Sequence, residues 1–243
     1  MSSSAKLSEA TLSTLSKYTA CDISDALLKL KVPGAGALPD LIPYCGGEVA
    51  DSKTAGNVVI APASTVYFID KNDSGANHPP GNIPAGEHWV DLTKADSIVV
   101  ESQPQGQHNA VLGGIMALRM KQRAARGVVV HGRIRDLEEL RETGLPSQNK
   151  TKIWATATST VGTGASTKAH AVEIPITIAG TTVTPGDYVF ADPANGVVVI
   201  PQDKLTAVLD LLPRLTAADD RVKDDVARGM SVQEAFQKHR SSL

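Results

Sequence analysis

Aromatic residues make up only 4% of the 243 residues, so a core here must rest on Val, Ile, Leu and Ala rather than on stacked rings. Cysteine occurs twice, as Cys21 and Cys45, far apart and outside any CxxC pair. That spacing excludes a disulfide framework and a thiolate metal site and leaves two ordinary thiols. No apolar stretch reaches the length of a transmembrane helix, and Met1-Ser2-Ser3-Ser4-Ala5-Lys6 lacks the apolar segment of a secretory signal. A cytoplasmic protein is the expectation. The net charge is only −2; without a broad basic surface, neither nucleic acid nor an anionic membrane is an expected partner.

What is present is ordinary globular material. With 42% apolar and 21% charged residues, the chain has enough hydrophobic side chains for one α/β domain over residues 1–243. Helical signals open it over about 6–32: Leu7, Leu12 and Leu15, then a polar start at Asp22-Ile23-Ser24-Asp25 followed by Ala26, Leu27, Leu28 and Leu30, with Pro33-Gly34 as the stop. Asn57 to Pro62 and Thr65 to Asp70 read as two short strands broken at Ala63-Ser64. Lys71 to His88 has neither helical nor strand period and reads as a long loop, of the kind that is functional or mobile.

The middle alternates strand and helix, the pattern of parallel pairing through crossover helices. Ser97 to Ser102 reads as a strand, and Asn109 to Ala125 as a helix with Leu112, Ile115, Met116 and Met120 inward. Gly127 to Gly132 reads as a buried strand and Arg135 to Thr143 as a short helix closed by Gly144 and Pro146. Strands are then expected at Lys152 to Ser159, Val172 to Ile178, Tyr188 to Asp192 and Val197 to Pro201, with turns at Ala179-Gly180 and Pro185-Gly186-Asp187. A helical tail over about 203–243 is interrupted at Pro213 and restarts at the capping box Ser231-Val232-Gln233-Glu234. The charged run from Asp219 to Asp225 reads as a solvated face, with a subunit contact as the alternative.

Chemistry concentrates between Gly113 and Asp136. Glycines at a loop-to-helix junction let a ligand approach the backbone, and free N–H groups of a first helical turn favour a carboxylate. Arg135 and Asp136 follow the C-terminal end of a buried strand, where open α/β sheets hold ligands. A guanidinium grips a carboxylate or an enolate oxygen in a fixed fork, and a carboxylate holds a hard cation such as Mg²⁺. A 2-oxoacid chelates such a cation, which then acts as a Lewis acid. On spacing alone the bland alternatives stand beside this reading: tight helix packing at Gly113-Gly114, and an N-terminal helix carboxylate beside a surface arginine at Arg135-Asp136.

Gly113-Gly114-Ile115-Met116, then Ala125-Arg126-Gly127-Val128-Val129-Val130, Gly132 and Arg135-Asp136, resemble the hallmark of the family of 4-hydroxy-4-methyl-2-oxoglutarate aldolases and the regulator of ribonuclease activity A. The likeness runs from Asp22 to Pro201. It is especially close to a fungal branch, through Thr158-Ser159-Thr160-Val161-Gly162-Thr163-Gly164. The resemblance implies a swivelling β/β/α fold with a mixed sheet, assembled into homotrimers or homohexamers with sites near subunit boundaries. It implies a class II pyruvate aldolase or oxaloacetate decarboxylase acting on a small 2-oxoacid. Gly113, Gly114, Ile115 and Met116 would cradle the substrate carboxylate, Arg135 would bind substrate, and Asp136 would hold Mg²⁺ or Mn²⁺. Arg135 and Asp136 are thus the expected catalytic pair.

Aldolase members often carry, where Gly114 stands, an acid proposed to organise the proton-shuttling water. Decarboxylation of oxaloacetate needs no base on a tertiary hydroxyl and tolerates that glycine better. Glu101 reads as a strand-end surface carboxylate, with replacement of that acid as its alternative. His131 either lines the pocket or packs with a hydrogen bond. His108-Asn109 either touches the ligand or, for Asn109, caps a helix. Asp192 is a turn residue first, and His170 has no assigned role. Two other functions stay open: a non-catalytic regulator, against which Asp136 argues because such members commonly lack the metal carboxylate, and a relative recruited to a specialised pathway, which Gly114, His131 and His108 would fit.

Overall fold

Val128, Val129 and Val130 are all fully buried, as a parallel strand covered on both faces requires. The computed structural model describes residues 7–44, 58–143 and 153–241. Cys45, Asn57, Gly144, Pro146 and Lys152, to which expectations attach, lie outside the described residues. In chain order the helices and strands are α1 (Glu9–Leu15), α2 (Ala20–Lys29), β1 (Ala37–Leu38), β2 (Ile42–Pro43), β3 (Val59–Asp70), β4 (Ile98–Ser102) and β5 (Ala110–Leu112). Next come α3 (Gly114–Gln122), β6 (Gly127–Ile134), α4 (Leu137–Thr143), β7 (Ile153–Thr158), β8 (Thr167–Val172), β9 (Ile176–Ile178) and β10 (Thr181–Val183). The last are β11 (Tyr188–Asp192), β12 (Gly196–Ile200), α5 (Leu205–Ala227) and α6 (Val232–Arg240). Among the described residues no helix is long and apolar enough to cross a membrane.

The main sheet runs β1-β12-β11-β3-β4-β6-β7-β2, with β5 added beside β6 and β8 beside β3. Pairing is parallel from β3 through β4 and β6 to β7 and antiparallel where β3 meets β11. This is the expected mixed α/β architecture. One core lies between the parallel strands and α3 and α4, with Val99, Val128 and Val130 against Ala117, Met120 and Leu140. A second lies on the other sheet face, where Ile98, Val100, Val129 and Trp154 meet the β9–β10 hairpin and β11–β12. A third packs α2 and α5 on Tyr188, Phe190, Val198 and Ile200.

Several expectations are corrected. The break at Ala63-Ser64 is absent: β3 is one strand that changes partners there, pairing through Val59, Ile60, Ala61 and Pro62 with β11 and from Ala63 onward with β4. Residues 110–112 form β5, so α3 starts later than the pattern suggested; its inward positions are Gly114, Ala117 and Met120, and Ile115 is 74% exposed. The strand placed at Val172 to Ile178 is two strands, β8 and β9. Helix α5 runs through Pro213; the lost hydrogen bond is offset by burial of Leu212 and Leu215 on either side. The capping box at Ser231 forms as read.

Residues 71–88 do form a long loop, and it is tied down. His78 bridges the Tyr67 hydroxyl, at 2.9 Å, and the Asp73 carboxylate, at 3.1 Å. His170, to which sequence gave no role, donates from Nε2 to the Pro79 carbonyl at 2.7 Å. Asn82 exchanges two hydrogen bonds with the Val172 backbone.

Two carboxylates overturn surface readings. Asp225 is buried beneath α6, with Arg228 at 2.5 Å, Lys238 at 2.8 Å and His239 at 2.6 Å. Hydrogen bonds from Lys238, His239 and Arg228 hold its carboxyl far below the usual range, so this support is present above the ordinary carboxylate pKa and is lost only in strong acid. Glu101 is fully buried in β4 and neither oxygen has a hydrogen-bond partner; burial pushes its pKa from 4.5 up to about 8.

Asp225→Asn should therefore release α6, raising hydrogen exchange over Val232–Arg240 while β4 and β6 stay protected; unchanged exchange there would refute the ion-pair account. For Glu101 the sign is opposite, because the unfolded chain ionises where the folded chain stays protonated. Its contribution is full below pH 4.5 and is lost as pH rises to about 8, at about 1.4 kcal/mol per pH unit. Denaturant titrations of Glu101→Gln across that window should show this slope removed.

Candidate active site

The end of β6 sets the geometry. Arg135 N–H donates to the Leu112 carbonyl at 3.0 Å, so the chain leaves the sheet beside β5 and the start of α3. Asp136 then adopts φ 60°, a left-handed conformation that Asp tolerates better than most residues. Its carbonyl accepts from Leu140 N–H at 2.9 Å and opens α4. Its carboxylate turns back, and Oδ2 accepts from Gly114 N–H at 3.1 Å. Arg135 Nε stands 3.5 Å from the same oxygen, with both side chains partly exposed. The two residues are adjacent in sequence and convergent in space.

Three glycines make room for charged side chains. A Cβ at Gly113 would lie 2.7 Å from Asp136 Oδ2, and one at Gly162 would lie 2.7 Å from Arg135 Nη1. At Gly114 a Cβ would overlap the Glu139 carboxylate, which rests on that backbone. Gly113 itself is extended, with φ −143°, so what it needs is space and not a left-handed backbone. The expected cradle is corrected in one respect: Gly114 N–H already serves Asp136. Ile115 and Met116 keep N–H groups that have no acceptor within the helix.

A cavity of about 310 Å³ opens here. Gly113, Ile115, Met116, Arg135 and Asp136 all line it, and Gly114 lies between two lining residues. Sequence reasoning missed two other parts of the wall. Gly162, Thr163 and Gly164 line it, and they are placed by Thr163 Oγ1 donating to the Ala110 carbonyl at 2.9 Å and by buried Asn109, whose Nδ2 donates to Thr167 Oγ1 at 2.6 Å. The Gly-Thr-Gly run was the available signal. His88 and Trp89, at the end of the long loop, also line it, and no local pattern brings them there.

The remaining candidates fall away from the cavity. His108 is exposed and lines nothing. Asn109 neither lines the cavity nor caps a helix, since β5 follows it. His131 does not line the cavity; its Nδ1 is buried without a hydrogen-bond partner, and burial lowers its pKa. Glu101, sealed in the core, does not reach the lining. Asp192 is a structural residue, accepting from the N–H groups of Ala20, Ala194 and Asn195. Among the described residues no group of three or more His, Cys, Asp or Glu is placed to hold a metal ion.

Comparison with known proteins agrees with this architecture. DlpA of Legionella pneumophila is 28% identical over 204 residues, covering 82% of this chain and 31% of that protein. The 4-hydroxy-4-methyl-2-oxoglutarate aldolase of Thermus thermophilus is 33% identical over 93 residues, covering 38% of this chain and 52% of that protein. The matched part is thus about a third to a half of these curated relatives. The crystal structure of Streptomyces coelicolor RraAS2, an unusual member of the RNase ES inhibitor RraA protein family, superposes with a TM-score of 0.66 at 22% identity over 93% of this chain and 99% of that one. At that identity the likeness is one of fold. The RraA-like family model, Aldolase/RraA, matches residues 20–199, and the chain belongs to that family.

Proposed function

We propose that this protein is a divalent-metal-dependent lyase that cleaves a C–C bond in 4-hydroxy-4-methyl-2-oxoglutarate-like acids, or decarboxylates oxaloacetate, and releases pyruvate. The observation that carries the reading is the convergence of Arg135 and Asp136 on one cavity with the open first turn of α3. The aldolases among the relatives support it.

The donor set fits one kind of cation. Asp136 has Oδ2 engaged by Gly114 N–H, which leaves Oδ1 as the protein's ligand. That suits Mg²⁺ or Mn²⁺ retaining most of its waters and does not suit a centre ligated wholly by protein. Such a cation, when bound, supplies Lewis acidity toward the keto and carboxylate oxygens of a 2-oxoacid.

The chain's own groups do the rest. Ile115 and Met116 N–H groups bind the 2-oxoacid carboxylate at the positive end of α3. The Arg135 guanidinium stabilises the negative charge that develops on the keto oxygen as the C3–C4 bond breaks. In oxaloacetate the C4 carboxylate departs as CO₂; in the hydroxylated acid the C4 hydroxyl loses a proton and C4 becomes a ketone. In both, the electron pair passes to the pyruvate enolate, which takes a proton at C3.

The same reading makes the protein a homo-oligomer, a trimer or hexamer. Its support is that Ile115, Leu118 and Val161, beside the cavity, are exposed apolar residues of the kind a second copy covers.

Pyruvate release from both acids should require Mg²⁺ or Mn²⁺ and stop on chelation. Asp136→Ala should lower it by about 100-fold or more. Release indifferent to chelator and to the substitution would sink the proposal.

A further inference from the structure

His88 lies outside every motif between Gly113 and Asp136, yet it lines the cavity with Arg135 and Asp136. Its placement is built. His88 caps the short 3₁₀ turn Trp89–Leu92, with Nδ1 accepting from Val90 N–H at 3.3 Å. Its ring packs on Trp89 at 5.5 Å between centroids, and Trp89 in turn meets Phe68 edge-on at 5.4 Å. The turn is braced against α3: Arg119 Nε donates to Asp91 at 2.5 Å, and the Arg123 guanidinium donates to the Thr93 carbonyl at 2.9 Å and 3.2 Å.

With Nδ1 accepting from Val90 N–H, the neutral ring carries its proton on Nε2 and offers a hydrogen-bond donor there. A donor on this wall has no task in binding the keto acid end, which Ile115, Met116, Arg135 and Asp136 serve. It suits a second anionic group on the same molecule.

Resting on the function proposed above, we propose that His88 Nε2–H binds the distal carboxylate of the substrate and selects dicarboxylic 2-oxoacids over monocarboxylic ones. Residues 71–88, which the chemistry otherwise leaves unused, then serve to deliver this donor.

The test needs no turnover. Calorimetric titration of the Mg²⁺-loaded protein with 2-oxoglutarate, a dicarboxylic 2-oxoacid without a hydroxyl to cleave from, is compared with pyruvate, which has no distal carboxylate. His88→Asn retains an acceptor for Val90 N–H and guards against unfolding of the turn; His88→Ala removes both functions. Both variants should weaken 2-oxoglutarate about tenfold or more, as loss of a hydrogen bond to a charged group does, and leave pyruvate within about twofold. KM for the dicarboxylic acids should rise while kcat is largely kept. Equal weakening of both ligands, or no weakening of 2-oxoglutarate, overturns the assignment of His88 and leaves the lyase reading standing. Wild-type protein that binds neither ligand overturns the lyase reading and this assignment together.

Discussion

The left-handed turn at Asp136 is the constraint on which the site depends. A residue with ordinary strand dihedrals there would carry β6 straight on into solvent. The reversal costs about 1 kcal/mol for a non-glycine residue, and the hydrogen bonds that surround it hold it in place: Arg135 N–H to Leu112, Leu140 N–H to Asp136, and Gly114 N–H to the Asp136 carboxylate. Through those three bonds one turn fixes the end of β6, the start of α4 and the start of α3. The position of the carboxylate is therefore a property of the end of a central strand and not of a flexible loop.

Burial alone does not decide the charge of a carboxylate here. Glu101 and Asp225 are both buried, and their pKa values move in opposite directions. Asp225 has three side-chain hydrogen-bond partners, Arg228, Lys238 and His239, so its desolvation is repaid by direct hydrogen bonds. Glu101 has none and stays protonated. The helical tail is thus docked by charge: α6 buries only Ala235. The parallel sheet tolerates an uncharged acid in its middle. In sequence both read as surface groups, Glu101 at a strand end and Asp225 in a solvated charged run.

Much of the fold was legible because periodicity reports burial directly. The valines of β6 and the strand Tyr188–Asp192 were placed from pattern alone, whereas α2 starts at Ala20, ahead of the polar start read at Asp22, and leaves Leu28 65% exposed. Errors arose where a neighbour outside the local window decided the matter. β5 has three residues and exists because β6 continues beside it; without that partner its apolar residues read as the first turn of a helix. Pro213 reads as a break, yet packing on both sides carries α5 through it. The site divides the same way. Gly113 to Met116 and Arg135-Asp136 stood out because strand, turn and helix signals flank them. Gly162 to Gly164 reach the cavity with only their Gly-Thr-Gly run as a sign, and His88 reaches it through tertiary contacts that leave no mark in nearby sequence.

The glycines of the site have a consequence for how it changes over evolutionary time. Gly113, Gly114 and Gly162 each lie under the end of a charged side chain, belonging to Asp136, Glu139 and Arg135 respectively. A side chain gained at any of them acts first on its partner, so the effect of one substitution depends on the state of another position more than twenty residues away. Position 114 and position 139 compete for one volume, and an acid can occupy it from either helix but not from both. Divergence of this site is then a matter of compensated pairs, and a single-position comparison of two such proteins would mistake a relocated carboxylate for a lost one.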